Sequence, residues 1–195
     1  MSKGKLFVIS GASGVGKSTV LARVMAQRDD LLFSVSATTR PPRPGEQEAV
    51  NYYFVTHEKF RDMIDHDEFL EYDDHMGNFY GTPKGQLEEK LTRGHVILDI
   101  EPVGAFNVRA TRPDAVLIFI APPSLQELEN RLRGRGTEAP EVVALRLEQA
   151  RNECASMEDY DYIVVNDQLD DAIEDLAAIL RASRCRSDMV DFRLG

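Results

Sequence analysis

KLFVISGASGVGKST, residues 5–19, decides the fold. Residues 5–10 run apolar and stop at a glycine-rich turn, which predicts a short buried strand. Residues 17–27 then place Val20, Leu21, Val24 and Met25 at helical spacing. Strand, glycine-rich loop and helix open an α/β unit. Gly11, Ala12, Ser13, Gly14, Val15, Gly16, Lys17 and Ser18, followed by Thr19, fill the pattern G-x-x-x-x-G-K-[ST]. Its glycines let backbone N–H groups turn inward around phosphate oxygens, where a side chain would block the approach. The helix that starts near Lys17 aims its positive end at the same oxygens. Lys17 then reaches the β- and γ-phosphates of a nucleotide, and Ser18 offers its hydroxyl to Mg²⁺.

Working outward, VILDI (96–100), AVLIFI (115–120) and YIVV (162–165) read as further buried parallel strands. Ser124 with Glu127 makes a capping box ahead of Leu125, Leu128 and Leu132. Leu169, Ile173, Leu176 and Leu180 mark a last helix. Residues 34–94 break the alternation. They are polar and aromatic, with a Pro-rich loop at 40–45, a short helix around Phe60, Met63 and Ile64, and a hairpin turn at Gly77-Asn78. This stretch reads as a small α+β insertion in a parallel-sheet core. Residues 134–140, with two glycines and a proline, read as a hinged flap.

The chain has 195 residues, which fits one domain with one small insertion. Its composition is 43% hydrophobic and 29% charged, an ordinary globular balance. A net charge of −10 makes it a poor general binder of nucleic acid or anionic membrane, so basic residues must cluster locally if an anion is bound. The longest strongly apolar run, 115–121, is far short of the roughly 20 residues a membrane helix needs. The five residues LFVIS are too few for a signal-peptide core. Cys154 and Cys185 form no CxxC and no zinc spacing, the pattern of a reduced cytoplasmic chain. The residues carry no signal of oligomeric state.

Several further residues read two ways. Arg40 and Arg43, three apart among prolines, suit either a phosphate clamp or an exposed Pro-rich loop. Asp99, ending an apolar strand, either orients a Mg²⁺-bound water or an arginine, or is simply a solubilising carboxylate. Arg131, Arg133, Arg135 and Arg146 suit either a closing flap that neutralises a transferring phosphoryl group or salt bridges to Glu127, Glu138 and Glu148. Asp65-His66-Asp67 and Asp73-Asp74-His75 lack metal-fixing spacing and read as a solvated acidic surface.

Taken together, GASGVGKST, FSVSATTRPPRPGE, NYYFV, EFLEY, GNFYGT, ILDI, IFIAPPS, RLRGRGTE and VVND resemble the guanylate kinase family over nearly the whole chain. The resemblance implies a P-loop NTPase-type, three-layer parallel-sheet core (1–33 and 95–195), a GMP-binding insertion (34–94) and a short helical lid over ATP (about 131–150). It implies ATP and GMP, with dGMP, as substrates, and Mg²⁺ as cofactor. Ser36, Glu71 and Thr82 would read guanine. Arg40, Arg43, Tyr52 and Tyr80 would hold the GMP phosphate. Asp99 would sit between acceptor and metal, Arg135 and Arg146 would come from the lid and its flanking helix, and Asn166 would lie near adenine. Guanine's N1–H and N2–H₂ suit one carboxylate, and its O6 suits a hydroxyl, which is the set Glu71, Ser36 and Thr82 supply. The chain departs from the family at Glu101-Pro102-Val103-Gly104, where Asp-x-Gln-Gly is expected, and at Ala49, where glycine is expected. A phosphosugar kinase on the same fold would have no reason to keep the guanine set. A non-catalytic protein-interaction module of this kind typically loses the lysine that is present here as Lys17.

Overall fold

The computed structural model describes residues 4–75, 77–134 and 139–186. In chain order these form β1 (Leu6–Gly11), α1 (Lys17–Met25), β2 (Leu31–Phe33), β3 (Ala37–Thr38), β4 (Tyr53–Phe54) and α2 (His57–Asp65). Next come β5 (Phe69–His75), β6 (Asn78–Pro83), α3 (Lys84–Arg93), β7 (His95–Asp99) and α4 (Pro102–Thr111). The chain ends with β8 (Val116–Ala121), α5 (Leu125–Gly134), α6 (Pro140–Ala155), β9 (Tyr162–Val165) and α7 (Leu169–Ser183). The larger sheet has strand order β2-β7-β1-β8-β9. The pairs β1–β8, β8–β9 and β2–β7 are all parallel, but β9 is not the buried strand its apolar run predicts: it pairs only with β8, and of its four residues only Val164 is buried. The chain therefore has the mixed α/β fold expected of a P-loop nucleotide-binding protein.

Of the described residues, those at 7–29 and from 116 onward make one compact unit, and those at 4–6 and between 30 and 115 the other. In the first, every residue of β1 and β8 is buried, the mark of parallel strands covered on both faces. The last residue of β1 is glycine because a Cβ there would meet the Ile120 carbonyl oxygen at 2.5 Å. α1 buries Val20, Leu21 and Val24, and α7 buries Ala172, Ile173, Leu176 and Leu180. The Ser124 hydroxyl accepts the Glu127 N–H at 3.1 Å and starts α5. Pro140 opens α6 at a position where its missing N–H costs nothing.

In the second unit a smaller sheet has order β4-β3-β6-β5, with all its strands between Ala37 and Pro83. Thr56 caps α2 by accepting the Lys59 N–H at 3.1 Å. α2 places Phe60 against Phe69 and Phe79, with ring centroids 4.3 and 5.3 Å away, over a core of Ala37 and Met63. The β5–β6 hairpin differs from the expected turn by one residue. Asn78 already pairs with His75 in the strands, and Gly77 takes the positive φ of 76° that the turn demands. Ala49 holds a φ of 61°, a left-handed conformation at the position where glycine was expected.

Candidate active site

The first unit builds a phosphate cradle. Gly14 and Gly16 take φ values of 85° and 94°, which turn the loop between β1 and α1 around its own N–H groups. Lys17 is the first residue of α1, and Ser18 and Thr19 follow on an exposed first turn. Three elements brace the loop. The Ser13 N–H donates to Glu153 Oε2 on α6 at 2.9 Å. Asn166 Nδ2, just past β9, donates to the Val15 carbonyl at 2.7 Å. Leu132 on α5 lies so close that a Cβ on Gly14 would meet its Cδ2 at 2.6 Å.

Asn166 is buried at 5% exposure, and a Cβ on Gly16 would meet its Nδ2 at 2.8 Å. Arg131 fixes this corner in turn. Its Nη1 donates to the Asn166 carbonyl at 2.8 Å and its Nη2 to the Asp167 carbonyl at 3.2 Å, while Nε pairs with Glu127 at 2.9 Å. The salt-bridge reading thus applies to Arg131, and Arg133 pairs with Glu129 at 2.8 Å. Arg146 sits half-buried on α6. Arg135 and Glu138 lie outside the described residues, as does the middle of the expected flap.

The second unit gathers a cation among aromatic rings. The Arg40 guanidinium lies 5.3 Å from the Tyr52 ring centroid, and Tyr52 and Tyr80 meet edge-on at 6.1 Å. Glu46 fixes the fork, with Arg40 Nη1 and Nη2 each 2.9 Å from a different carboxylate oxygen. The Arg43 backbone N–H adds a third bond to Glu46 at 2.7 Å. First Arg40 and then the Arg43 N–H hold the Glu46 carboxyl down to about 2. The Arg40 guanidinium is raised further, chiefly by Glu46, with Tyr80 adding to the effect.

Nearby strands carry a buried carboxylate. Glu71 on β5 is 7% exposed and faces Thr82 on β6, which is wholly buried. The Thr82 hydroxyl donates to Glu71 Oε1 at 2.5 Å. Burial outweighs that bond and raises the Glu71 carboxyl to about 6, with the Asp73 charge adding to the rise. Ser36, half-buried, precedes β3, and its carbonyl accepts the Tyr53 N–H at 2.9 Å. Asp99 ends β7, half-buried, at the strand's carboxyl end, where α/β sheets place their ligands.

Sequence reasoning left Glu46 and Glu153 without these roles, and gave Arg131 its Glu127 pairing but not its bonds to the Asn166 and Asp167 carbonyls. Glu46 had a local signal, since it stands six residues after Arg40 at the end of a proline-rigidified loop. Glu153 had none, because its partner lies 140 residues away. Among the described residues no three His, Cys, Asp or Glu side chains gather as a metal cage. His66 instead takes Asp62 as its neighbour, with Nδ1 3.2 Å from the carboxylate. Cys154 and Cys185 are both free thiols. No helix among the described residues is long and apolar enough to cross a membrane.

A glycine-rich cradle between a parallel strand and a helix N-terminus defines the class, a P-loop nucleotide-binding protein. The sequence model of the guanylate kinase family matches residues 3–183. A guanylate kinase of Thermus thermophilus is 51% identical, aligned over 95% of this chain and 84% of that one. One from Carboxydothermus hydrogenoformans is 45% identical over 100% of this chain and 96% of its own. The crystal structure of guanylate kinase from Anaplasma phagocytophilum superimposes with a TM-score of 0.78 at 32% identity, covering 97% of this chain and 90% of that one. The chain belongs to the guanylate kinase family.

Proposed function

We propose that this chain transfers the γ-phosphoryl group of ATP to GMP, and to dGMP, giving ADP and GDP, in the cytoplasm where both substrates are held. Family membership makes it a nucleoside monophosphate kinase. The observation that carries the choice of acceptor is the Glu71 carboxylate. It is buried, bonded to Thr82 on one oxygen, and raised to about 6 because its burial is incompletely offset by donors. Guanine N1–H and N2–H₂ supply two donors to such a group, whereas adenine presents a lone pair at N1. Ser36 and Thr82 hydroxyls complete the base site. Arg40, Arg43, Tyr52 and Tyr80 hold the monophosphate, within the insertion 34–94.

The ATP half of the proposal rests on residues 11–19. Backbone N–H groups cradle the phosphates, Lys17 neutralises the β/γ charge, and Asn166 borders the loop on the adenine side. Arg146 and Arg135, from the lid, reach the transferring group. Asp99 orients the acceptor. The donor set fits Mg²⁺ arriving with the phosphates. Ser18 would offer Mg²⁺ a hard oxygen at the first turn of α1. When bound, Mg²⁺ would supply neutralisation of phosphate charge. Little covalent work falls to the protein in such a transfer, so positioning and electrostatics carry the rate.

The test is ADP formation from ATP with GMP, dGMP, AMP, UMP, CMP and a phosphosugar in parallel. GMP and dGMP are expected to exceed AMP in kcat/KM by roughly 10⁴, the size of rejection that an unpaired buried polar group produces. Equal rates with AMP, or a phosphosugar as best acceptor, would overturn the reading.

A further inference from the structure

We infer that Gly104 is a positioning residue for base selection: the missing Cβ at the third position of α4 lets the Glu71 carboxylate occupy the place where guanine's two donors reach it. The inference rests on the GMP reading above. A Cβ at residue 104 would stand 2.8 Å from Glu71 Oε2, 3.4 Å from its Cδ and 3.2 Å from Ile100 Cδ1. The other carboxylate oxygen is already fixed, with the Thr82 hydroxyl on Oε1 at 2.5 Å. The carboxylate is therefore located on two sides, by a hydrogen bond from β6 and by the close backbone of α4.

Gly104 does not need to be glycine for its dihedral angles. It lies inside α4 and is not among the residues with positive φ. Alanine is the better helix former, so the backbone alone would accept it. What alanine displaces is the end of a side chain, since the atoms it meets belong to Glu71 and Ile100 and not to main chain. The carboxylate gives way before the helix does. A shift of about 1 Å in a positioning group can cost on the order of a hundredfold. Gly104 and Glu71 are 33 positions apart in the sequence, and only the packing of α4 on β5 brings them together.

The experiment compares wild type, Gly104→Ala, Glu71→Ala and the double variant. Each is titrated by calorimetry with GMP, with IMP (the same nucleotide lacking the 2-amino group), with AMP and with a non-hydrolysable ATP analogue, and each apo protein is melted. For Gly104→Ala the melting temperature is expected to hold or rise, and ATP-analogue affinity to stay within about twofold. GMP affinity is expected to fall roughly 10- to 100-fold, with IMP falling less, so that the GMP-to-IMP ratio shrinks. In the Glu71→Ala background, adding Gly104→Ala should change GMP affinity by less than about twofold, because the group it displaces is gone. The inference is overturned by an unchanged GMP-to-IMP ratio, by an equal loss in the Glu71→Ala background, or by a marked drop in melting temperature, which would make Gly104 purely structural. A wild type with no preference for GMP over AMP overturns the GMP reading instead, whereas a GMP-over-AMP preference that Gly104→Ala leaves undiminished overturns the inference alone.

Discussion

Glu46 grips Arg40 with both carboxylate oxygens, each 2.9 Å from a guanidinium nitrogen. Arg40 also donates to the Pro41 carbonyl at 2.8 Å and lies against the Tyr52 ring. The fork is thus set in one orientation, and its remaining donors point in fixed directions. Glu46→Ala releases that orientation. We expect kcat/KM to fall about 10- to 100-fold, for GMP and AMP alike, because the proposed base contacts are made by Glu71, Ser36 and Thr82. Steady-state kinetics with both acceptors checks this. A lower KM for GMP in the variant would mean that Glu46 acts only by neutralising Arg40.

Glu71 behaves differently with pH. Its folded value of about 6 lies above the ordinary 4.5, chiefly from burial. Folding therefore disfavours its charged form. The stability available while it is protonated is fully present below about 4.5 and is lost as pH rises through about 6. The difference is about 2 kcal/mol. Glu71→Gln should accordingly stabilise the apo protein at pH 7.5 by up to about 2 kcal/mol, and the gain should vanish toward pH 4.5, as read from denaturant melts at both pH values. The same variant should lose at least about a hundredfold in kcat/KM for GMP.

Guanine binding reverses that sign. With guanine placed on Glu71 as proposed, N1–H and N2–H₂ favour the ionised carboxylate, so GMP binding is expected to release a proton from Glu71 below about pH 6. Calorimetry in two buffers of different ionisation enthalpy should show release near pH 5.5 and little at pH 8. Glu46, held ionised down to about 2, adds nothing in this range. Proton uptake at pH 5.5 would contradict the assignment of Glu71 to the base.

Asn166→Ala removes the donor to the Val15 carbonyl inside the phosphate loop. Leaving a buried acceptor unpaired costs about 1–3 kcal/mol, or roughly 2–12 °C in melting temperature for a chain of this size. KM for ATP should rise while GMP affinity stays unchanged, since the residues proposed for the base and the monophosphate belong to the other unit. Equal losses for both nucleotides would show general destabilisation in place of a loop effect.

Ala49→Gly tests the strain at φ 61°. Relief of the left-handed penalty, about 1–2 kcal/mol, exceeds the added flexibility of glycine in the unfolded chain, about 0.5–1 kcal/mol. A net stabilisation of about 0.5–1 kcal/mol is expected in urea melts, with kinetics unchanged. A destabilised variant would mean that the Ala49 methyl contributes packing that outweighs the strain.

β1, β7 and β8 were legible because burial on both faces makes them apolar runs, as at 96–98 and 116–120, whereas β2, only three residues long, was not read from the sequence. β3 and β4 were not, because two residues each carry no periodicity and owe their form to β6 and to one another. The hairpin was placed one residue late because Gly77 and Asn78 both suit a turn, and only the pairing of Asn78 with His75 decides between them. The candidate site shows the same division. The phosphate loop is local and reads directly. The bracing of that loop by Glu153 and Asn166 joins residues 140 and 151 positions apart, and no window along the chain contains both partners.

That bracing also orders events during synthesis. The loop at 11–16 leaves the ribosome early, yet the groups that hold its shape come at 132, 153 and 166. At about 5–20 residues per second, roughly six to thirty seconds separate them. Over that interval the nascent chain carries the phosphate motif without its supports. Nucleotide capture should therefore switch on only once Asn166 has emerged, making ATP binding a late reporter of completed folding for this unit.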